Sequence, residues 1–112
     1  MGGWSVTIMR QPVEDYPHIN REKVLADWTV GSSGTRWINA LVSRGEAKRV
    51  RDGGYPNLYT APACVIAPLL ATDEPPSGET GIFAPREVRI MRTELDACPP
   101  DELLTIMVWD QS

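Results

Sequence analysis

A chain of 112 residues with 42% apolar and 23% charged residues has the make-up of a globular protein, and one domain over 1–112 is expected. No apolar run approaches the roughly 20 residues a membrane span needs. The opening MGGWSV lacks the basic and apolar regions of a secretory leader, so a cytoplasmic location without membrane contact is expected. Two cysteines, Cys64 and Cys98, without CxxC spacing, and the single histidine His18 supply too few ligands for a structural zinc site. Free buried thiols are expected, with no metal and no cofactor.

The net charge of −4 is unevenly distributed. Residues 32–61 carry Arg36, Arg44, Lys48, Arg49 and Arg51 against only Glu46 and Asp52. The stretch after Pro62 is strongly acidic. Local field, more than net charge, directs a charged partner to one face.

In chain order, residues 4–10 (WSVTIMR) favour β-branched types and predict a first strand. Residues 11–19, with Pro12 and Pro17, form a connector. Asn20 caps a predicted helix over 21–28, with Glu22 in its first turn and Val24, Leu25 and Trp28 on one stripe. After a tight turn at 29–31, Ser32 or Ser33 caps a second helix to about Arg44. There Trp37, Ile38, Leu41 and Val42 face inward, while Arg36, Asn39 and Ser43 face outward. Gly34 within its first turn costs roughly 1 kcal/mol relative to alanine. Gly45 stops the helix as a left-handed residue.

Residues 47–51 and 57–61 then predict a hairpin reversing through Asp52-Gly53-Gly54-Tyr55-Pro56. Residues 64–71 are apolar and fit either strand or helix. Residues 72–81 predict a mobile exposed loop. Residues 87–95 and 103–109 predict strands joined as a hairpin through 98–102.

The strings REKVLADW, SSGTRWINALVSRGEAKRV and RDGGYPNLYTA together resemble the winged helix-turn-helix superfamily of bacterial and phage regulators. The shared features are Leu25-Ala26 in a first helix, Ser32, Ser33 and Thr35 opening a recognition helix, the Leu41-to-Gly45 exit, and Tyr55 and Tyr59 in a wing. The resemblance implies an α+β fold with a winged helix-turn-helix core at 20–61. It places an N-terminal strand before that core and an acidic C-terminal extension at 62–112, with its β-hairpin, after it. It also implies a regulatory or accessory protein that binds double-stranded DNA. Ser32, Ser33, Thr35, Arg36 and Asn39 would enter the major groove, and Arg44, Lys48, Arg49 and Arg51 would hold phosphates. A homodimer through 87–95 or 103–109 would double the interface.

A competing expectation is a small phage-type inhibitor or adaptor that binds a protein, such as a host defence complex. Its acidic surface would imitate DNA on a winged-helix scaffold that does not bind DNA. Catalysis is not expected. His18 has no nucleophile in its sequence context, and no P-loop, GxGxxG or HExxH motif is present. The acidic pairs Glu14-Asp15, Asp73-Glu74 and Asp101-Glu102 suit solvated faces, because neighbouring side chains point apart.

Overall fold

A computed structural model describes residues 3–52, 56–76 and 84–110. It contains β1 (Trp4–Met9), β2 (Val24–Val30), α1 (Arg36–Ser43), β3 (Lys48–Arg51), β4 (Asn57–Pro62), α2 (Ala63–Leu69), β5 (Arg86–Ile90), α3 (Arg92–Asp96) and β6 (Leu103–Asp110). All six strands join one sheet in the order β3-β4-β6-β1-β2-β5, and every pairing is antiparallel. This α+β arrangement is not a winged helix-turn-helix core. No helix among the described residues is long and apolar enough to cross a membrane.

The main departure from the sequence expectation lies at 21–30. Asn20 does act as a cap: its Oδ1 accepts from the Glu22 backbone N–H at 3.0 Å. It opens only one 3-10 turn, Arg21–Lys23, and the chain then runs straight into β2. Val24, Leu25 and Trp28 fit a helical stripe. Ala26, Trp28 and Val30 fit a strand face equally well, with Asp27 and Thr29 on the other side. Pairing with β1 over Trp4↔Val30, Val6↔Trp28 and Ile8↔Ala26 decides for the strand, since tertiary pairing overrides a weak helical preference. The first helix of the resemblance is therefore absent, and with it the helix-turn-helix.

The second departure is at the C-terminal end. Residues 87–95 divide into β5 and α3, and β5 pairs with β2 rather than with β6. β6 lies between β4 and β1, so it is a central strand and not half of a peripheral hairpin. The ambiguous run 64–71 becomes α2, starting directly after Pro62.

Register separates the sheet into two faces. On the first, a row crosses every strand: Ile90, Ala26, Ile8, Ile106, Tyr59 and Arg49. Ile38 and Leu41 of α1, Ala63 and Ile66 of α2 and Leu95 of α3 bury against this face in one core cluster. A bulge between Ile8 and Met9 leaves Leu25 as an extra residue, and it too joins the core. On the second face the matching row is Arg89, Asp27, Thr7, Met107, Leu58 and Arg51. Met9, Val24 and Leu58 are buried yet stand outside the main cluster.

Part of that second face is crossed by the connector 11–19. Buried Gln11 holds it: its Nε2 donates to the His18 carbonyl, and its Oε1 accepts from the Asn20 N–H at 3.0 Å. Thr105 Oγ1 on β6 donates to the Gln11 carbonyl. The Tyr16–Pro17 peptide within the connector is cis.

α1 keeps the predicted inward stripe, with Ile38 and Leu41 buried and Trp37 and Val42 packed against the core. It is shorter than expected, because Ser32–Thr35 form a separate 3-10 turn. Gly45 ends it at φ +76°. The Glu46 N–H donates to the Leu41 carbonyl at 2.9 Å and the Gly45 N–H to the Val42 carbonyl at 3.1 Å, which is the Schellman pattern.

Gly34 has a different reason to be glycine. A Cβ there would stand 2.2 Å from Val30 Cγ2 and 3.1 Å from Val30 Cβ. The second contact cannot be relieved by rotating the valine side chain. A Cβ on Gly45 would meet nothing within 4 Å. Gly34→Ala is therefore expected to destabilise by about 1–3 kcal/mol through overpacking. Gly45→Ala should cost about 1–2 kcal/mol through its backbone alone. Urea denaturation of the two variants checks both, and adding Val30→Ala, which removes the Cγ contacts and keeps the Cβ contact, should rescue the first in part and the second not at all.

Candidate binding surface at the sheet edge

β3 is an outermost strand, and all four of its residues, Lys48-Arg49-Val50-Arg51, are exposed. Strand alternation decides where its cations go. Lys48 pairs with Thr60, and Arg49 with Tyr59, so neighbouring cations point to opposite faces. A register shift between Arg49 and Arg51 sets Arg51 opposite Leu58, on the same face as Lys48. The expected phosphate clamp of Arg44, Lys48, Arg49 and Arg51 is therefore divided between two sides of the sheet.

On the helical side, Arg49 Nη2 donates to Asn39 Oδ1 of α1 at 3.1 Å. Its guanidinium lies 5.8 Å from the Tyr59 ring centroid, as in a cation–π contact. Arg36 is exposed at the first position of α1, one turn before Asn39. The structure thus brings Arg36, Asn39 and Arg49 to one surface. Arg44 is drawn away into an ion pair with Glu46 at 2.6 Å. Thr35 stands at the N-cap of α1, half-buried and without a side-chain capping bond. Ser32 and Ser33 belong to the preceding 3-10 turn, and their side chains lie outside the description. So do Gly53, Gly54 and Tyr55 of the expected wing tip, and residues 77–83 of the expected mobile loop.

On the second face, the Arg51 guanidinium sits 5.1 Å from the Tyr16 ring centroid. Lys48 makes no ion pair among the described residues. Beside it opens a groove of about 710 Å³. Thr60, Leu103 and Thr105 line the groove from the sheet, Lys48 and Val50 from the edge strand, and Val13 and Glu14 from the connector. Leu103 is 62% exposed and Val50 45%. These are large values for apolar side chains lining one groove.

One end of the groove is closed by Arg10, whose Nε and Nη2 donate to the two carboxylate oxygens of Glu102 at 2.6 and 2.9 Å. This two-pronged pair, chiefly through its hydrogen bond, holds the Arg10 guanidinium above its ordinary range. The acidic stretch after Pro62 is partly consumed in the same way. Arg92 donates to Asp73 at 2.6 and 3.0 Å and to Asp96 at 3.4 Å. It also reaches the Leu70 carbonyl, tying the end of α2 to α3.

The groove residues Arg10, Val13, Val50 and Leu103 were not singled out by sequence reading, and Glu102, read there as half of a solvated acidic pair, is instead bound to Arg10. Val50 gave the one available signal, an apolar residue within a cationic strand. The Arg10–Glu102 partnership spans 92 positions and has no local signature. Among the described residues, no group of three or more His, Cys, Asp or Glu side chains is placed to hold a metal ion.

No protein-family model matches the sequence, and comparison with curated proteins and with solved structures finds no match.

The two thiols differ in a way that can be checked. Cys64 is exposed and Cys98 half-buried. Burial pushes the Cys98 thiol up, Glu102 adds to the rise, and the nearby Arg10 opposes it. A raised thiol holds less of the reactive thiolate at neutral pH. Alkylation by iodoacetamide, followed by mass spectrometry, should therefore modify Cys64 first. The Cys98 rate should go on climbing with pH beyond about 8.5, the usual cysteine value.

Proposed function

We propose that this protein is a non-catalytic binding module that grips a polypeptide partner at the β3 edge and in the adjoining groove. The observation that carries this reading is the exposed pair Leu103 and Val50 (62% and 45%) beside an open groove rimmed by Lys48. Apolar surface displayed next to uncompensated charge marks a place where another chain buries area and gains specificity. The reading keeps the protein-binding class expected as the rival to DNA binding and moves its working surface. Three of the carboxylates after Pro62 are occupied by Arg10 and Arg92, whereas among the described residues the β3 cations make no ion pair.

Duplex binding has one specific observation in its favour, the shared surface of Arg36, Asn39 and Arg49. Against it stand the net charge of −4 and the division of the cations by strand alternation. A duplex touching one face meets only part of that charge, and each lost phosphate contact lowers affinity and salt dependence together.

The two readings separate in one experiment. Peptides are selected from a random display library on the isotopically labelled protein, and a mixed-sequence DNA duplex is titrated separately at low and high salt. The peptides are expected to shift backbone amides in 10–14, 48–51 and 103–105. Leu103→Asp, a substitution at an exposed position, should weaken them tenfold or more. Salt-sensitive duplex binding that is lost in Arg36→Ala/Arg49→Ala and unaffected by Leu103→Asp would overturn the proposal.

A further inference from the structure

Resting on the reading above, we infer that the partner enters as an extended acidic segment that adds to β3 as a seventh strand of the sheet. Among the described residues β3 pairs only with β4, so its outer side presents main-chain donors and acceptors to an incoming strand. Main-chain pairing supplies a frame, and alternate side chains of the added strand then fall on either face of the sheet.

Each face is furnished for what it would receive. On the helical side a residue of the incoming strand meets Arg49, which is held by the Tyr59 ring and by the neutral Asn39 amide. On the second face the neighbours are Lys48, Val50 and Arg51. Arg51 stacks on Tyr16, and the groove floored by Leu103 lies beyond Val50. Carboxylates on both faces, with an apolar residue of the added strand seated by Val50, complement this arrangement, while Leu103, on β6 beyond β4, is left to the groove. Cross-strand pairs of opposite charge are favourable, and like charges directly opposite are not.

The same charges exclude the simplest competing occupant, a second copy of this chain. Pairing β3 with another β3 would set lysine and arginine against lysine and arginine. Pairing β3 with β5 would set them against Arg86 and Arg89, with Glu87 the one carboxylate of that strand. β5 is also a poor template in itself. Glu87 has φ +53°, the register shifts opposite Asp27 and Thr29, and Arg89 is taken by Asp27 at 3.3 Å. Protection against self-association accounts for cations on an edge strand. It does not account for the exposed apolar Val50 among them. A strand that repels its own kind and accepts a complementary one satisfies both observations.

The test uses synthetic peptides of alternating glutamate and valine, alternating glutamine and valine, and alternating lysine and valine. Binding is followed by calorimetry at two salt concentrations, and hydrogen exchange of the Lys48–Arg51 amides is measured by NMR. The glutamate peptide should bind, lose affinity with salt and slow exchange along β3. The glutamine peptide should bind tenfold or more weakly. Methylating alternate peptide nitrogens in the register that faces β3 should abolish binding. In Lys48→Glu/Arg51→Glu the preference should reverse toward the lysine peptide, which no loss of folding could produce.

Equal binding of the glutamate and glutamine peptides, or binding without protection of β3 amides, would overturn strand addition. If such binding were still sensitive to Leu103→Asp, the groove would remain a partner site. If no peptide bound, this inference would fall, while the functional reading would stand or fall on the library selection. A dimer formed through β3 at working concentration would equally count against the inference.

Discussion

The seating of β6 between β1 and β4 is the constraint on which the rest of the molecule depends. In the order β3-β4-β6-β1-β2-β5 no other strand among the described residues joins the hairpin at the basic edge to the strands grown from β1. Leu104 and Ile106 of β6 are fully enclosed, and Ile106 lies mid-row between Ile8 and Tyr59. The helices pack over this seam, so the core is continuous only when β6 is in place. The pairings that seat β6 join segments far apart in sequence, a topology in which loop-closure entropy is spent before the contacts that offset it form.

That seam also sets the character of the surface. The helices cover one face, and the connector 11–19 crosses part of the other. β3 is left at the margin with a different environment on each side. On the covered side the apolar row ends at Arg49, whose guanidinium stacks over Tyr59. On the other side the row ends in Arg51 and lies beside a groove walled by the connector. A strand with two furnished sides suits an extended partner better than a duplex, whose phosphates would engage only one side at a time.

Local chemistry was legible wherever short-range physics determines it. The Asn20 cap, the inward stripe of α1, the left-handed stop at Gly45 and the hairpin of β3 with β4 all follow from neighbouring residues. The choice between helix and strand at 24–30 did not, because Val24, Leu25 and Trp28 satisfy both periods until β1 is present to pair with. The winged-helix resemblance rested on that choice and failed with it. Gly34 shows the same limit in small form. Read locally it is a weak helix residue, whereas in the structure it is the only side chain size that fits under Val30. The candidate site was half legible. The cationic edge could be read from Lys48 to Arg51, but its division between two faces and its proximity to Leu103 needed the register of β4 and β6.

The Gln11 side chain carries a consequence for how such a surface could diversify. One amide fastens both ends of the crossing segment by holding the His18 carbonyl and the Asn20 N–H, and it does so without help from residues 12–17. Of those intervening positions, Pro12, Val13 and Glu14 wall the groove, and Tyr16 alone stands against a cation of β3. Selection can therefore rewrite the wall, and with it the preferred guest, while the barrier to unfolding of the sheet stays where it was.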